Sequence, residues 1–198
     1  MITQAVYEEL KNKYGAVASW ALWRPAGTTK KSNTADLSVF NDPDLHSKLS
    51  AKYVFVALNA ANHPNPQTIP AWSCFHSNYR YQNDYKLRTA THGTRFEGAY
   101  ITDVIKHYVE TDSTKVKSAI RKDPTIVTNN LIYLQEELNL LKSSNNGINP
   151  ILIALGNDVY NLLNKYITGY TIKNVKHYAG YFSDIWYKQH FANELATI

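Results

Sequence analysis

The sequence is poor in cysteine, with one residue, Cys74, in 198. An internal disulfide needs two thiols, and an all-cysteine zinc site or a protein-held iron–sulfur cluster needs several, so all three are excluded. Glycine and proline are sparse, at 8 and 7 residues, which excludes collagen-like and low-complexity chains. No run of about 18 apolar residues is present to span a bilayer, and Glu8 and Glu9 fall where a signal peptide would be apolar. The expectation is a soluble, cytoplasmic protein with no membrane partner. Acidic residues are outnumbered, 16 against 21 Lys and Arg, for a formal charge of +5. That excess permits a polyanionic partner without requiring one. What is present is a chain that is 44% hydrophobic and 13% aromatic, enough apolar material for one domain with a core of its own.

Hydrophobic spacing organises most of the chain. Val6, Leu10 and Tyr14 share one helical face, which predicts an opening helix over 3–14. Residues 15–50 carry Trp20, Trp23 and the polar, basic stretch Gly27–Thr34, and show no regular pattern. Tyr53–Ala61 is apolar without a break in its first residues, the pattern of a strand buried on both faces. Pro64 and Pro66 then require a loop. A second strand is predicted over Gly98–Tyr108, and a third over Ile151–Leu155 ending at a Gly156 turn. A fourth short strand is predicted from Thr171. Asp123-Pro124 reads as a helix cap, followed by Val127, Leu131, Leu134, Leu138 and Leu141 at alternating steps of four and three. Further helices are predicted after Gly156 and over Ser183–Leu195. Strands alternating with helices imply a mostly parallel α/β sheet, whose ligands bind beyond the carboxyl ends of the strands.

The residues at those ends are therefore the candidates for chemistry. Asn59, Asn62 and His63 follow the first strand, Thr102 and Asp103 end the second, Gly156 and Asn157 follow the third, and His177 ends the fourth. Asn, Asp and His converging from three strands would position water, hydrogen-bond a heterocycle and stabilise a leaving anion. Each has an ordinary alternative: Asn59 as a turn former, Asp103 as an Asx turn or helix cap, His177 as a strand-end residue, and Gly156-Asn157 as turn and cap. The histidines lack metal-ligand spacing and neither HExxH nor CxxC occurs, so no metal and no cofactor is expected. The segment around Tyr79, Tyr81 and Tyr85 mixes aromatics with cations, which suits single-stranded nucleic acid or ordinary surface use.

Order, spacing and strand-end chemistry together resemble the uracil-DNA glycosylase superfamily. Ala57-Leu58-Asn59-Ala60-Ala61 is similar to the first motif of that superfamily, which would make Asn59 the residue that positions the attacking water. Cys74–Ser77 resembles the loop whose phenylalanine stacks on the extruded base, a role that would fall to Phe75. Ala99–His107 resembles the middle strand, with Asp103 standing where an asparagine often reads the base edge. Asn174–Gly180 occupies the position of the second motif, so His177 would match its histidine. The likeness covers residues 50–190. It implies a three-layer α/β/α sandwich with a mostly parallel four-stranded sheet, as a single domain over 1–198, with 1–50 an N-terminal extension and 51–198 the core. It also implies hydrolysis of the N-glycosidic bond of uracil or another damaged or mispaired base in DNA, as in base excision repair, by a monomer. Asn59 and His177 would be catalytic, and Phe75, Asp103 and Asn62 would bind the base. Lys86, Arg88, Arg95 and Lys176 would contact phosphates. Departures are Ala60 and Ala61 for Pro and Gly, Asp103 for Asn, and Tyr178-Ala179 for Pro-Ser. These admit the alternative of a non-catalytic nucleic-acid or nucleotide-binding protein on the same fold.

Overall fold

A computed structural model describes residues 1–59, 69–108 and 110–198. Its centre is set by strand alternation. In β2 (Ser50–Asn59), Val54 and Val56 enter one apolar cluster while Phe55 and Ala57 enter another on the opposite face. The same division holds in β4 (Ile151–Leu155), where Leu152 and Ala154 face one way and Ile153 and Leu155 the other. A sheet apolar on both faces must be covered on both. On the first face lie α1 (Gln4–Tyr14), α4 (Ser113–Lys122), α5 (Thr125–Ser144) and α6 (Asn157–Tyr166); on the second lie α3 (Asp84–Thr91) and α7 (Asp184–Glu194). The remaining elements are β1 (Ser19–Trp20), α2 (Leu45–Lys48), β3 (Ala99–Ile105) and β5 (Ile172–Val175), with a 3-10 turn at Leu37–Asn41.

The strand order is β1-β3-β2-β4-β5. Pairs β2–β3, β2–β4 and β4–β5 are parallel, and β1 runs antiparallel to β3 through Ser19↔Ile101 and Trp20↔Tyr100. The sheet therefore has five strands rather than the four expected, and it is mixed. Two residues are too few to leave a period in the sequence, which is why β1 is invisible there.

Residues 1–50 are built into this core. Ile2, Tyr7, Leu10, Tyr14 and Trp20 belong to the first apolar cluster. Trp20 is fully buried, packs edge-on to Tyr100 at 4.9 Å, and offers its carbonyl to His76 Nε2 at 3.2 Å. On the same face of the sheet, α5 buries Val127, Leu134, Leu138 and Leu141 completely, worth roughly 1.5–3 kcal/mol each. Asp123 does cap it, its Oδ1 accepting Thr125 N–H at 3.0 Å. Glu137 of α5 and Lys106, just past β3, form a fully buried ion pair at 2.6 Å. Tyr100 and Thr102 hydroxyls each donate to Glu137 Oε1 at 2.8 Å.

Candidate active site at the strand ends

Four parallel strands bring their carboxyl ends to one edge of the sheet, where Asn59, Asp103 and the segment after β5 meet. Asp103 lies opposite Ala57 in the β2–β3 register. By alternation it shares the face of Ala99 and Ile101, the face covered by α3 and α7. Asp103 is 3% exposed, and its Oδ1 has no hydrogen-bond partner among the described residues. Burial pushes its carboxyl up to about 7, against the downward pull of Lys106, with Glu137 adding to the rise. Such a group exchanges between a proton donor and an acceptor near neutral pH.

Two further groups, Tyr178 and Cys74, sense this carboxyl, and both also sense Asp84. Asp84, the first residue of α3, is buried; its Oδ2 accepts Ser77 N–H at 2.8 Å, and the Tyr178 hydroxyl is bonded to the same carboxyl. Burial raises Asp84 to about 6, while Ser77 N–H, Tyr178 and the charge of Lys31 pull it down. The buried Tyr178 hydroxyl is pushed well above its usual range by burial, then by Asp84 and Asp103. The Cys74 thiol, hydrogen-bonded to the Ala16 carbonyl at 3.1 Å, is pushed up to about 12 by burial and by Asp103 and Asp84. Asp84, Asp103, Tyr178 and Cys74 thus form one electrostatic cluster.

His177 adjoins it. Its ring stacks on Tyr178 at 4.6 Å and 27°. Ala179 N–H donates to His177 Nδ1 at 3.1 Å, so the neutral ring carries its proton on Nε2. Burial lowers the ring to about 4, which keeps it neutral over the physiological range. Gly156 stands at φ 103, a conformation reserved for glycine, and turns β4 sharply into α6 where a Cβ would sit 3.7 Å from His177 Cβ.

Phe75 has φ 64 and Trp72 has φ 68. Left-handed backbone at bulky residues costs about 1–3 kcal/mol per residue and is held only where the surroundings dictate it. Here Trp72 is fixed by Nε1 donating to the Tyr7 hydroxyl at 2.9 Å, and Phe75 packs half-buried against the second apolar cluster. Ser77 N–H on Asp84 closes the same loop.

Asn59 ends β2 as expected, but its Nδ2 donates to the carbonyls of Tyr108 at 3.3 Å and Glu110 at 2.9 Å, which ties down the segment after β3. Asn62 lies outside the described residues. Lys86 and Arg88, expected as phosphate contacts, are corrected by their burial, 4% and 6% exposed. Lys86 Nζ donates to the Gly180 carbonyl at 2.9 Å. Arg88 binds the carbonyls of Ser32 at 2.7 Å and Lys30 at 2.6 Å, fastening the basic loop to α3. An eight-residue helix wedged between α7 and the 24–34 loop buries cations that a linear reading takes for surface. Arg95 donates to the Ile198 carbonyl, far along the chain, and lies over Phe96. Lys176 is exposed beside Trp186, 5.2 Å from the ring centroid.

Asp84, Tyr178 and Cys74 are the members that sequence reading misses. Asn83-Asp84 at the start of a helical run was the available signal for Asp84; burial of its carboxyl leaves none. A hollow of about 420 Å³ lies off this cluster, lined in part by His107, Tyr108, Asn129 and Tyr133. It opens beside the segment that Asn59 secures, on the α5 side. Among the described residues, no group of three or more His, Cys, Asp or Glu side chains is arranged to hold a metal ion, and no helix is long and apolar enough to cross a membrane. In comparisons with known proteins, the chain matches no family model, no curated protein and no solved structure.

Proposed function

We propose that this α/β protein is a DNA glycosylase of the uracil-DNA glycosylase type, hydrolysing the N-glycosidic bond of uracil or another damaged or mispaired base. The observation that carries the reading is the dry Asp103 carboxyl, with one oxygen unpartnered among the described residues, coupled to Tyr178 on which His177 stacks. Cleavage of this bond passes through a sugar with oxocarbenium character and a departing base anion. Water must be held on one side and negative charge stabilised on the other. His177, neutral with its proton on Nε2, supplies a donor for a carbonyl oxygen of the departing base. Asp103 deprotonated accepts from a base N–H or orders the attacking water; protonated, it donates to a base carbonyl. Phe75 offers a ring for the extruded base, whose removal from a duplex stack costs a few kcal/mol. Asn59 supplies a second polar group for the water. DNA is the partner under this reading, and the protein acts as a monomer.

The experiment is base release, scored as alkali-labile sites in oligonucleotides carrying uracil, hypoxanthine or a mismatch, single- and double-stranded. Activity is expected to fall about 10²–10³-fold in His177→Ala, the size of loss seen when one preorganised donor is removed, and to fall in Asn59→Ala as well. Absence of release from every substrate overturns the reading.

One observation favours a second reading. The Asn59 amide already serves two backbone carbonyls, as it would in a non-catalytic member of the fold that binds nucleic acid. Salt-sensitive DNA affinity without base release, unchanged by Asn59→Ala, selects that reading.

A further inference from the structure

Loops from three distant parts of the sequence are stitched into one surface beside the strand ends. Lys31 Nζ donates to the carbonyls of Tyr79, Arg80 and Gln82 at 3.2, 2.7 and 2.9 Å. Lys30 pairs with Asp184 at the start of α7 at 3.1 Å. Lys86 Nζ holds the Gly180 carbonyl and lies 4.9 Å from the centroid of the Phe182 ring. These bonds engage all three lysines, Lys30 with its side chain still 58% exposed, and fix the 78–83 and 179–183 loops side by side.

What those loops display is aromatic. Tyr79 and Tyr81 are 78% and 84% exposed, Tyr181 is fully exposed, and Trp186 on α7 is 42% exposed. Among the described residues, the exposed cations lying over these rings are Arg80, 5.6 Å from the Tyr81 centroid, and Lys176, 5.2 Å from the Trp186 centroid. Both loops also follow site residues along the chain. Tyr79 lies four residues beyond Phe75, and Tyr181 four beyond His177.

The three exposed tyrosines pack on no other ring among the described residues and lose little by exchanging solvent for another π-face, whereas Trp186 is already seated on Phe182 at 4.8 Å and His190 at 5.0 Å and offers only its exposed part. A duplex offers none along its length, since its bases are stacked on one another. An unpaired strand offers one per nucleotide, and tolerates any base because every base has such a face. We propose that this surface is a track for single-stranded DNA: successive bases stack on Tyr79, Tyr81, Tyr181 and Trp186, and the backbone passes Arg80 and Lys176 on its way to the strand-end site. The inference deepens the glycosylase reading by naming the strand form, and it is tested by binding, without base release.

The test is anisotropy of a labelled oligodeoxythymidylate of about 15 nucleotides, a length one such site covers, against a blunt duplex of equal length. Tighter binding of the single strand is expected. Tyr181→Ala and Tyr81→Ala each should weaken it about fivefold to a hundredfold, the range for loss of one stacked base, and Ile132→Ala, exposed on α5 across the sheet, should not. With about two phosphates neutralised, the log–log salt slope should be near −1.4. The other three tryptophans are buried, so strand binding should also quench Trp186 emission, and Trp186→Phe should abolish that change. Equal or tighter duplex binding, or single-strand affinity unaltered in both tyrosine variants, overturns the track. Aromatic-dependent binding with no base release leaves the track standing and removes the glycosylase reading. Base release with unaltered tyrosine variants does the reverse.

Discussion

A carboxyl held in a dry site near neutral pH leaves a thermodynamic trace. Asp103 rises from 3.8 to about 7 on folding, so the folded chain binds that proton more tightly than the unfolded one. The stability it contributes is full below about pH 4 and is lost as pH rises through about 7, at a limiting slope of about 1.4 kcal/mol per unit. Asp84, raised to about 6, acts in the same direction. His177 and His76, lowered to about 4 and about 3 mainly by burial, act in the other. Their contribution is full above about pH 6.5 and is lost as pH falls. Two carboxyls and two imidazoles therefore oppose one another over the same window. Asp103→Asn removes one side of that balance, so its stability relative to the parent protein should grow by a few kcal/mol between about pH 4 and pH 7, measured by chemical denaturation at a series of pH values. A difference that does not change with pH refutes the assignment of a raised carboxyl.

At the level of elements, β3 and α5 are joined by a charge pair in a fully buried setting, its hydrogen bonds supplied by Tyr100, Thr102 and the Asp103 carbonyl. Lys106 and Glu137 are both completely buried and 2.6 Å apart, with Lys106 Nζ also donating to Thr102 Oγ1 and the Asp103 carbonyl at 2.7 Å. Breaking such a pair strands one charge, whereas removing both is tolerated. Lys106→Met is expected to cost about 3–5 kcal/mol, and Lys106→Met with Glu137→Leu to recover most of it, read as denaturation midpoints; equal loss in both contradicts the account. None of this is legible in the sequence, where Lys106 looks like a solvated charge past the end of a strand and Glu137 like one along a helix. The elements with a clear period were legible. The opening helix, α5 with its Asp123 cap, and the strands at 50–59, 99–105, 151–155 and 172–175 all lie close to their expected positions. β1, α3 and α4 were missed because the signal is short in the first, masked by polar and aromatic residues in the second, and carried by little more than Val116 in the third. Strand-end positions of Asn59 and Asp103 follow from topology; which polar atoms are already engaged is decided by side chains brought from elsewhere.

Taken whole, the molecule does not divide at residue 50. Trp20 completes the sheet edge and packs between Tyr100 and Trp72, and Tyr7 receives the Trp72 indole N–H. Trp20→Ala should destabilise by about 3–5 kcal/mol. A chain starting at residue 24 should lose its single cooperative melt, followed by circular dichroism; an unchanged melting temperature would show the N-terminal segment to be an appendage. That same packing governs the lone cysteine. Its thiol bridges the loop bearing Phe75 to the Ala16 carbonyl of the N-terminal segment, and with so high a pKa almost no thiolate is present while the loop is closed. Capture of Cys74 by a thiol reagent therefore waits on an opening fluctuation, so its rate clocks how often the loop bearing Phe75 lifts from the body of the protein.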